Sequence, residues 1–200
     1  MSRGPRRGGA LNLMLLPESG RDLVPGRPAL DRLVTDREVS AVLRVQAMTD
    51  APIAWRSAAL LSHAGEHALC WMALGLAGAA LDSERRRSWL RATAAVAGAH
   101  ALSIVLKRLA RRPRPSDPRI RVRLDAPGPW GFPSSHAAST TAAAVAYSRL
   151  LDNRLPLVTV PLMMASRVIV GLHYPSDVLA GAVLGSVVGR WAGNRPPRRS

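Results

Sequence analysis

From Val178 to Val188 the chain carries one polar side chain, Ser186. This missing polar stripe constrains the fold more than any other feature of the sequence. A helix on the surface of a water-soluble protein keeps one face polar, and this segment has no such face. Four more segments are nearly as apolar: Ala68–Leu81, Trp89–Leu106, Ala137–Leu151 and Leu155–Leu172. Gly181, Gly185 and Gly189 fall four apart on one helical face, the small-residue spacing that lets helices approach closely in lipid. At 14 to 18 residues the segments are short for spanning, and the mean hydropathy of +0.04 is low. The absent polar faces outweigh both points. The expected fold is all-α, an integral membrane helical bundle of five or six spans.

Composition supports helices over sheets. Apolar residues make up 48% of the chain and aromatic ones only 4%, so the apolar mass is Ala, Leu and Val. The formal charge of +15 favours an anionic partner: nucleic acid, a phospholipid surface or a phosphorylated substrate. Cys70 is the only cysteine and reads as a small buried hydrophobe; it excludes an intrachain disulfide.

Along the chain, residues 1–34 are rich in Gly, Pro and Arg and read as a mobile, basic lead-in without a cleaved signal peptide. Thr35 with Glu38 three residues on matches a capping box, opening an amphipathic helix over 35–50. Residues 51–192 form the expected membrane domain, and 193–200 a basic tail. If the five segments span, alternation puts the connections near Glu66, at Lys107–Pro133 and at Leu172–Asp177 on one face. All the unusual polar residues fall there.

Three clusters on that face carry chemistry. In the first, Lys107 lies in the last turn of a helix, where cations are favoured, and Pro113 forces a turn. Lys107, Arg111 and Arg114 can then converge on one anion, or simply meet lipid headgroups. In the second, Pro133-Ser134-Ser135-His136 precedes an apolar helix. Ser134 or Ser135 can cap it, its free amides form a phosphate site, and His136 sits in the first turn. In the third, Arg167 is costly in lipid unless it faces a polar cavity. Asp177 follows His173 by four residues and can hold one ring nitrogen, leaving the other free to attack. Pro175 and Ser176 supply the turn and cap of the last helix. Each cluster alone has an ordinary reading; their joint arrival on one face does not.

With its motifs Lys107-x6-Arg114-Pro115, Pro133-Ser134-Ser135-His136 and Ser166-Arg167-x5-His173-x3-Asp177, the chain resembles the type 2 phosphatidic acid phosphatases, which share a fold with vanadium haloperoxidases. The resemblance runs from about residue 60 to 192. It implies a metal-independent, cofactor-free phosphomonoesterase. Lys107, Arg114, Arg167, Ser134 and Ser135 would hold the phosphate, His173 would attack phosphorus, Asp177 would orient it, and His136 would serve as general acid and base. Ser135 stands where the family usually has glycine, which keeps the amide and adds a side chain. The family usually has six spans, and the helix at 35–50 can supply the first.

The short length, the segment Ser62–His67 and Pro-Ser-Ser-His are similar to actinobacterial members acting on decaprenylphosphoryl-5-phosphoribose, a cell-wall precursor. Polyprenyl pyrophosphate and phosphatidic acid are alternative substrates, and a non-enzymatic basic protein binding anionic lipids is a further reading. A haloperoxidase would need vanadate in the same pocket and is typically larger and soluble. The partners expected are the bilayer of a bacterial inner membrane, crossed several times, and a lipid phosphate rather than nucleic acid; the sequence sets no oligomeric state. Glu66 and His67 are open between cavity residues and an ordinary polar helix start, and His100 reads as a helix–helix hydrogen bond.

Overall fold

The computed structural model describes residues 29–64, 68–126 and 128–193. The chain divides into two compact units, 1–34 and 35–200; apart from the start of the first helix, everything below belongs to the second. The lead-in falls almost wholly outside the described residues, as do Glu66, His67 and the tail from 194. Among the described residues the structure is helical without a strand; Pro113 and Trp130 form one isolated bridge.

Seven α-helices follow in order: α1 Ala29–Met48, α2 Pro52–Ala64, α3 Leu69–Leu81, α4 Arg86–Ala110, α5 Ser135–Leu151, α6 Thr159–Ile169 and α7 Pro175–Gly193. A 3-10 turn, Leu155–Val158, leads into α6. The ends have local causes. Arg111 takes a left-handed conformation (φ 48°) and Pro113 follows two residues later, so α4 stops there. Pro161 is tolerated because it lies in the first turn of α6. Pro175 opens α7 with a ring already set for helix. Thr35 does not cap: α1 begins six residues earlier, and Glu38, free of that duty, reaches elsewhere.

The glycine stripe of α7 does what its spacing predicts. A Cβ on Gly181 would lie 3.0 Å from that of Ala137, one on Gly185 2.9 Å from the Ala142 amide, and one on Gly189 2.7 Å from the Ala142 carbonyl. Only glycine leaves α7 room to lie against α5. The opposite face of α7 carries Leu179, Val183 and Val187, all exposed. Inside, α5 buries Ser135, Ser139, Thr140 and Thr141 among alanines. At the α5–α7 contact small and polar residues point inward while the large apolar residues of α7 point outward, the reverse of a water-soluble bundle. Cys70 is exposed on α3, so the buried position expected for it is not observed.

Among the described residues one helix, Arg86–Ala110, is long and apolar enough to cross a membrane; Leu69–Leu81 and Leu155–Ile169 are shorter apolar helices. Trp89 and Tyr147 pack with ring centroids 5.5 Å apart, joining α4 to α5. On the other side, the buried Gln46 amide donates to the carbonyls of Arg121 (2.8 Å) and Ile169 (3.0 Å) and accepts from the Arg121 amide (3.0 Å). That clamp fixes the long α4–α5 connection against the end of α6, where three of the motif residues lie.

Candidate active site

Lys107, Arg114, Ser135, His136, Arg167 and His173 line one cavity of about 450 Å³, together with His100, Ile104, Arg108, Gly128, Pro129 and Trp130. Residues from α4, its following loop, α5, α6 and the α6–α7 turn thus meet in one place. Arg111 does not join them. Its left-handed backbone turns it outward, its Nε donates to the Arg108 carbonyl, and it stays exposed, so the convergence expected of it fails. His100, read as a helix–helix contact, also lines the cavity one turn before Ile104.

Lys107 and Arg114 are held by carbonyls, and Arg167 by a hydroxyl. Lys107 Nζ donates to the carbonyls of Gly131 (3.1 Å) and Trp130 (3.3 Å). Arg114 Nε donates to Gly128 (2.8 Å) and Nη1 to Leu172 (3.0 Å). Arg167 is 3% exposed and donates to the Ser62 hydroxyl, which brings α2 into the site. A buried guanidinium is costly without such partners. Burial presses the pKa of Arg114 downward while the Asp177 charge opposes it.

His173 is 1% exposed in the α6–α7 turn. Arg114 Nη1 lies 3.1 Å from its Nε2. Arginine only donates, so Nε2 is the accepting nitrogen and the ring proton sits on Nδ1. Nδ1 faces Asp177 Oδ2 at 3.5 Å, a contact of a neutral ring with a carboxylate that falls just short of a formed hydrogen bond. Burial first, then the positive charges of Arg167, Arg114 and Lys107, hold the His173 pKa well below its ordinary value. The imidazole is therefore neutral at neutral pH.

Asp177 is fully buried in the first turn of α7. Its Oδ2 accepts from the Tyr174 amide (2.9 Å), the half of a capping box in which the third helical residue reaches back to the cap. Tyr174, rather than Ser176, thus occupies the cap position. The Asp177 main-chain carbonyl accepts from the Ser134 amide (2.9 Å), tying the starts of α5 and α7 together. Gly131 passes so close that a Cβ there would lie 3.0 Å from Asp177 Oδ2.

His136 is held differently. Its Nε2 lies 3.1 Å from the Ser62 carbonyl, to which it donates, in the first turn of α5. Ser134 caps that helix, its hydroxyl 3.5 Å from the Ala137 amide. Ser135, at the family's glycine position, turns its hydroxyl to that of Ser103 on α4 (2.7 Å), which in turn lies 2.6 Å from the His100 carbonyl. The extra side chain is thereby taken up by α4. Ser103 and Gln46 carried no signal in the sequence, and Ser62 entered only as the first residue of the Ser62–His67 segment, because a lone polar side chain has no spacing to detect.

A helical bundle with four cationic side chains and three imidazoles around one cavity has the make-up of a phosphatase. The chain belongs to the PAP2 superfamily, whose model matches residues 88–199. It is 48% identical over 153 residues to the decaprenylphosphoryl-5-phosphoribose phosphatase of Mycobacterium tuberculosis, a match covering 76% of this chain and 86% of that protein. The protein of the same name from Mycolicibacterium smegmatis is 44% identical over 145 residues, covering 72% and 81%. The fold is shared with a transmembrane PAP2 type phosphatidylglycerolphosphate phosphatase from Bacillus subtilis, with a TM-score of 0.66 and 21% identity over 80% of this chain and 84% of that one.

Proposed function

We propose that the chain is a multi-pass membrane phosphatase that removes the phosphomonoester of decaprenylphosphoryl-5-phosphoribose, or a close polyprenylphosphoryl sugar phosphate, without a metal ion. The observation that carries this reading is the single cavity on which Lys107, Arg114, Arg167, His136 and His173 converge. Identity of 48% to a protein of that activity supports the substrate. Placement in a bacterial inner membrane as five or six spans is supported by the outward apolar stripe of α7 and by the exposed Leu69, Leu74 and Leu76 of α3.

In this reading Lys107, Arg114 and Arg167 take the phosphate oxygens, with the amides at the start of α5 closing the pocket behind Ser134 and Ser135. As Arg114 turns from His173 Nε2 to a phosphate oxygen, the Nε2 lone pair it held is released and attacks phosphorus. The P–N bond forms as the P–O bond to the sugar breaks, and His136 gives its proton to the leaving alkoxide. The Ser62 carbonyl can accept from Nε2 of His136 in both protonation states, which leaves Nδ1 to carry the exchanged proton. His136 then takes a proton from water, whose oxygen displaces His173 and releases inorganic phosphate. Asp177 stabilises the charge that grows on His173 during attack. Ile104, Arg108 and Trp130 extend the cavity wall beyond the phosphate residues, giving room for a leaving group larger than an alcohol.

Purified protein in detergent, offered decaprenylphosphoryl-5-phosphoribose, polyprenyl pyrophosphate and phosphatidic acid, tests this by phosphate release. The expected result is the highest kcat/KM on the sugar phosphate, unchanged by EDTA. Preference for either other lipid would overturn the substrate, sensitivity to EDTA the metal-free mechanism, and anionic-vesicle binding without hydrolysis the enzyme itself.

A further inference from the structure

We propose that Arg112 and Glu38 are positioning residues for the reaction: Glu38 on α1 holds Arg112, and Arg112 fixes the Asp177 carboxylate in the orientation that faces His173. The inference rests on the reading of His173 as nucleophile and Asp177 as its partner.

Neither residue belongs to the three motifs. Arg112 follows the left-handed residue that ends α4, so its side chain leaves the helix in a direction α4 does not set. Its Nη1 donates to Asp177 Oδ1 at 2.8 Å and to the Ser176 hydroxyl, and its Nη2 pairs with Glu38 Oε2. Its guanidinium carbon lies 5.0 Å over the Tyr174 ring. The other Glu38 oxygen, Oε1, accepts from the Ser176 amide at 3.1 Å. Arg112 is thus gripped by a carboxylate from α1, an aromatic face and the first turn of α7.

The consequence falls on Asp177. With Oδ1 occupied by Arg112 and Oδ2 by the Tyr174 amide, the carboxylate cannot rotate, and Oδ2 stays 3.5 Å from His173 Nδ1. Gly131 seals the remaining side, and its amide donates to the Arg112 carbonyl at 2.8 Å. The charged and titratable groups facing Asp177 are therefore His173 in the α6–α7 turn, Arg112 and Arg114 in the α4–α5 loop, Lys107 on α4 and, through Arg112, Glu38 on α1. Of the four cations or acids beyond His173, Arg112 is the one bonded to the carboxylate. Lys107 and Arg114 point to the cavity, where a substrate phosphate would draw on their charge; Arg112, paired with Glu38, keeps its grip on Asp177 through the reaction.

The test compares Arg112→Gln, Arg112→Lys, Glu38→Gln and the exchange Glu38→Arg/Arg112→Glu with the parent, all purified in detergent and checked for monodispersity. His173→Ala and Asp177→Asn are run on the same substrate. Arg112→Gln is expected to lower kcat about 10- to 100-fold, the usual effect of losing a group that orients a reacting imidazole's partner, with KM little changed. Its acid limb of kcat/KM should move up by about one pH unit, because a buried carboxylate without its cation protonates more readily. Glu38→Gln should show the same changes in smaller measure, and it carries the test if Arg112→Gln aggregates. Arg112→Lys should recover part of kcat. The exchange should recover nothing, since it puts Glu beside Asp177. If the exchange restores activity, or the acid limb stays in place in Arg112→Gln while only thermal stability falls, the pair is a plain tether between α1 and α7 and the proposal is overturned. If His173→Ala keeps full activity, it is the underlying mechanism that fails.

Discussion

Two of the cavity histidines, His173 and His136, are held in opposite ways. His173 is 1% exposed, with Arg114 at one nitrogen and Asp177 at the other, and both partners are themselves fixed. His136 is only half-buried and has one partner, the Ser62 carbonyl, on a different helix. A ring flanked on both sides keeps one orientation, which suits the attacking role proposed for His173 once Arg114 moves to the phosphate. A ring held at one nitrogen can gain and lose a proton at the other, which suits the acid–base role proposed for His136. The difference in anchoring thus supports the proposed division of roles and gives it a test.

That contrast can be broken by removing either ring. His173→Ala should lower phosphate release by on the order of 10⁴-fold or more, because the proposed mechanism passes through a covalent bond to this ring. His136→Asn should cost about 10³-fold on an alkyl phosphate. The loss of the first step should shrink sharply with an activated aryl phosphate, whose leaving group needs no proton; burst kinetics with such a substrate measure this. Equal insensitivity of both variants to the leaving group would erase the distinction. Asp177→Asn should lower kcat by about 10²-fold while KM holds, sharpening the claim that the His173 anchor acts on the attack.

The smallest expected effect concerns pH. His173 is held well below its ordinary value by burial and by Arg167, Arg114 and Lys107. In the unfolded chain it takes up a proton below about pH 6.5, whereas in the folded protein it stays neutral there. The unfolded state then binds more protons, so stability falls as pH drops below about 6.5, by at most about 1.4 kcal/mol per pH unit. Above that pH both states are neutral and the contribution is flat. Thermal midpoints in detergent at pH 5 and pH 7 should show this fall, and in His173→Gln it should diminish. The acid limb of kcat/KM should accordingly lie below pH 6.5.

What the sequence made legible were groups with spacing. Lys107 to Arg114, Ser134 to His136 and Arg167 to Asp177 are each local, and helical geometry places each set near one helix end. The glycine stripe of α7 was readable for the same reason. Groups that matter through distant pairing were not. Glu38 and Arg112 are 74 positions apart, and Glu38 fitted a capping box that the earlier start of α1 makes void. Arg111 does not join the cavity because its own left-handed backbone sends the side chain outward, which a turn placed at Pro113 does not reveal. Cys70 was assigned to the interior on its chemistry, although on α3 the apolar side chains face outward.

The central claim is that His173 forms a covalent bond to phosphorus and His136 does not. The most direct measurement is rapid acid-free quenching of His136→Asn with a radiolabelled aryl phosphate, followed by peptide mapping of the label. An acid-labile, base-stable phosphoryl group on the peptide carrying His173, absent from His173→Ala, is the predicted result. Label on another residue, or undiminished turnover in His173→Ala, would contradict the account.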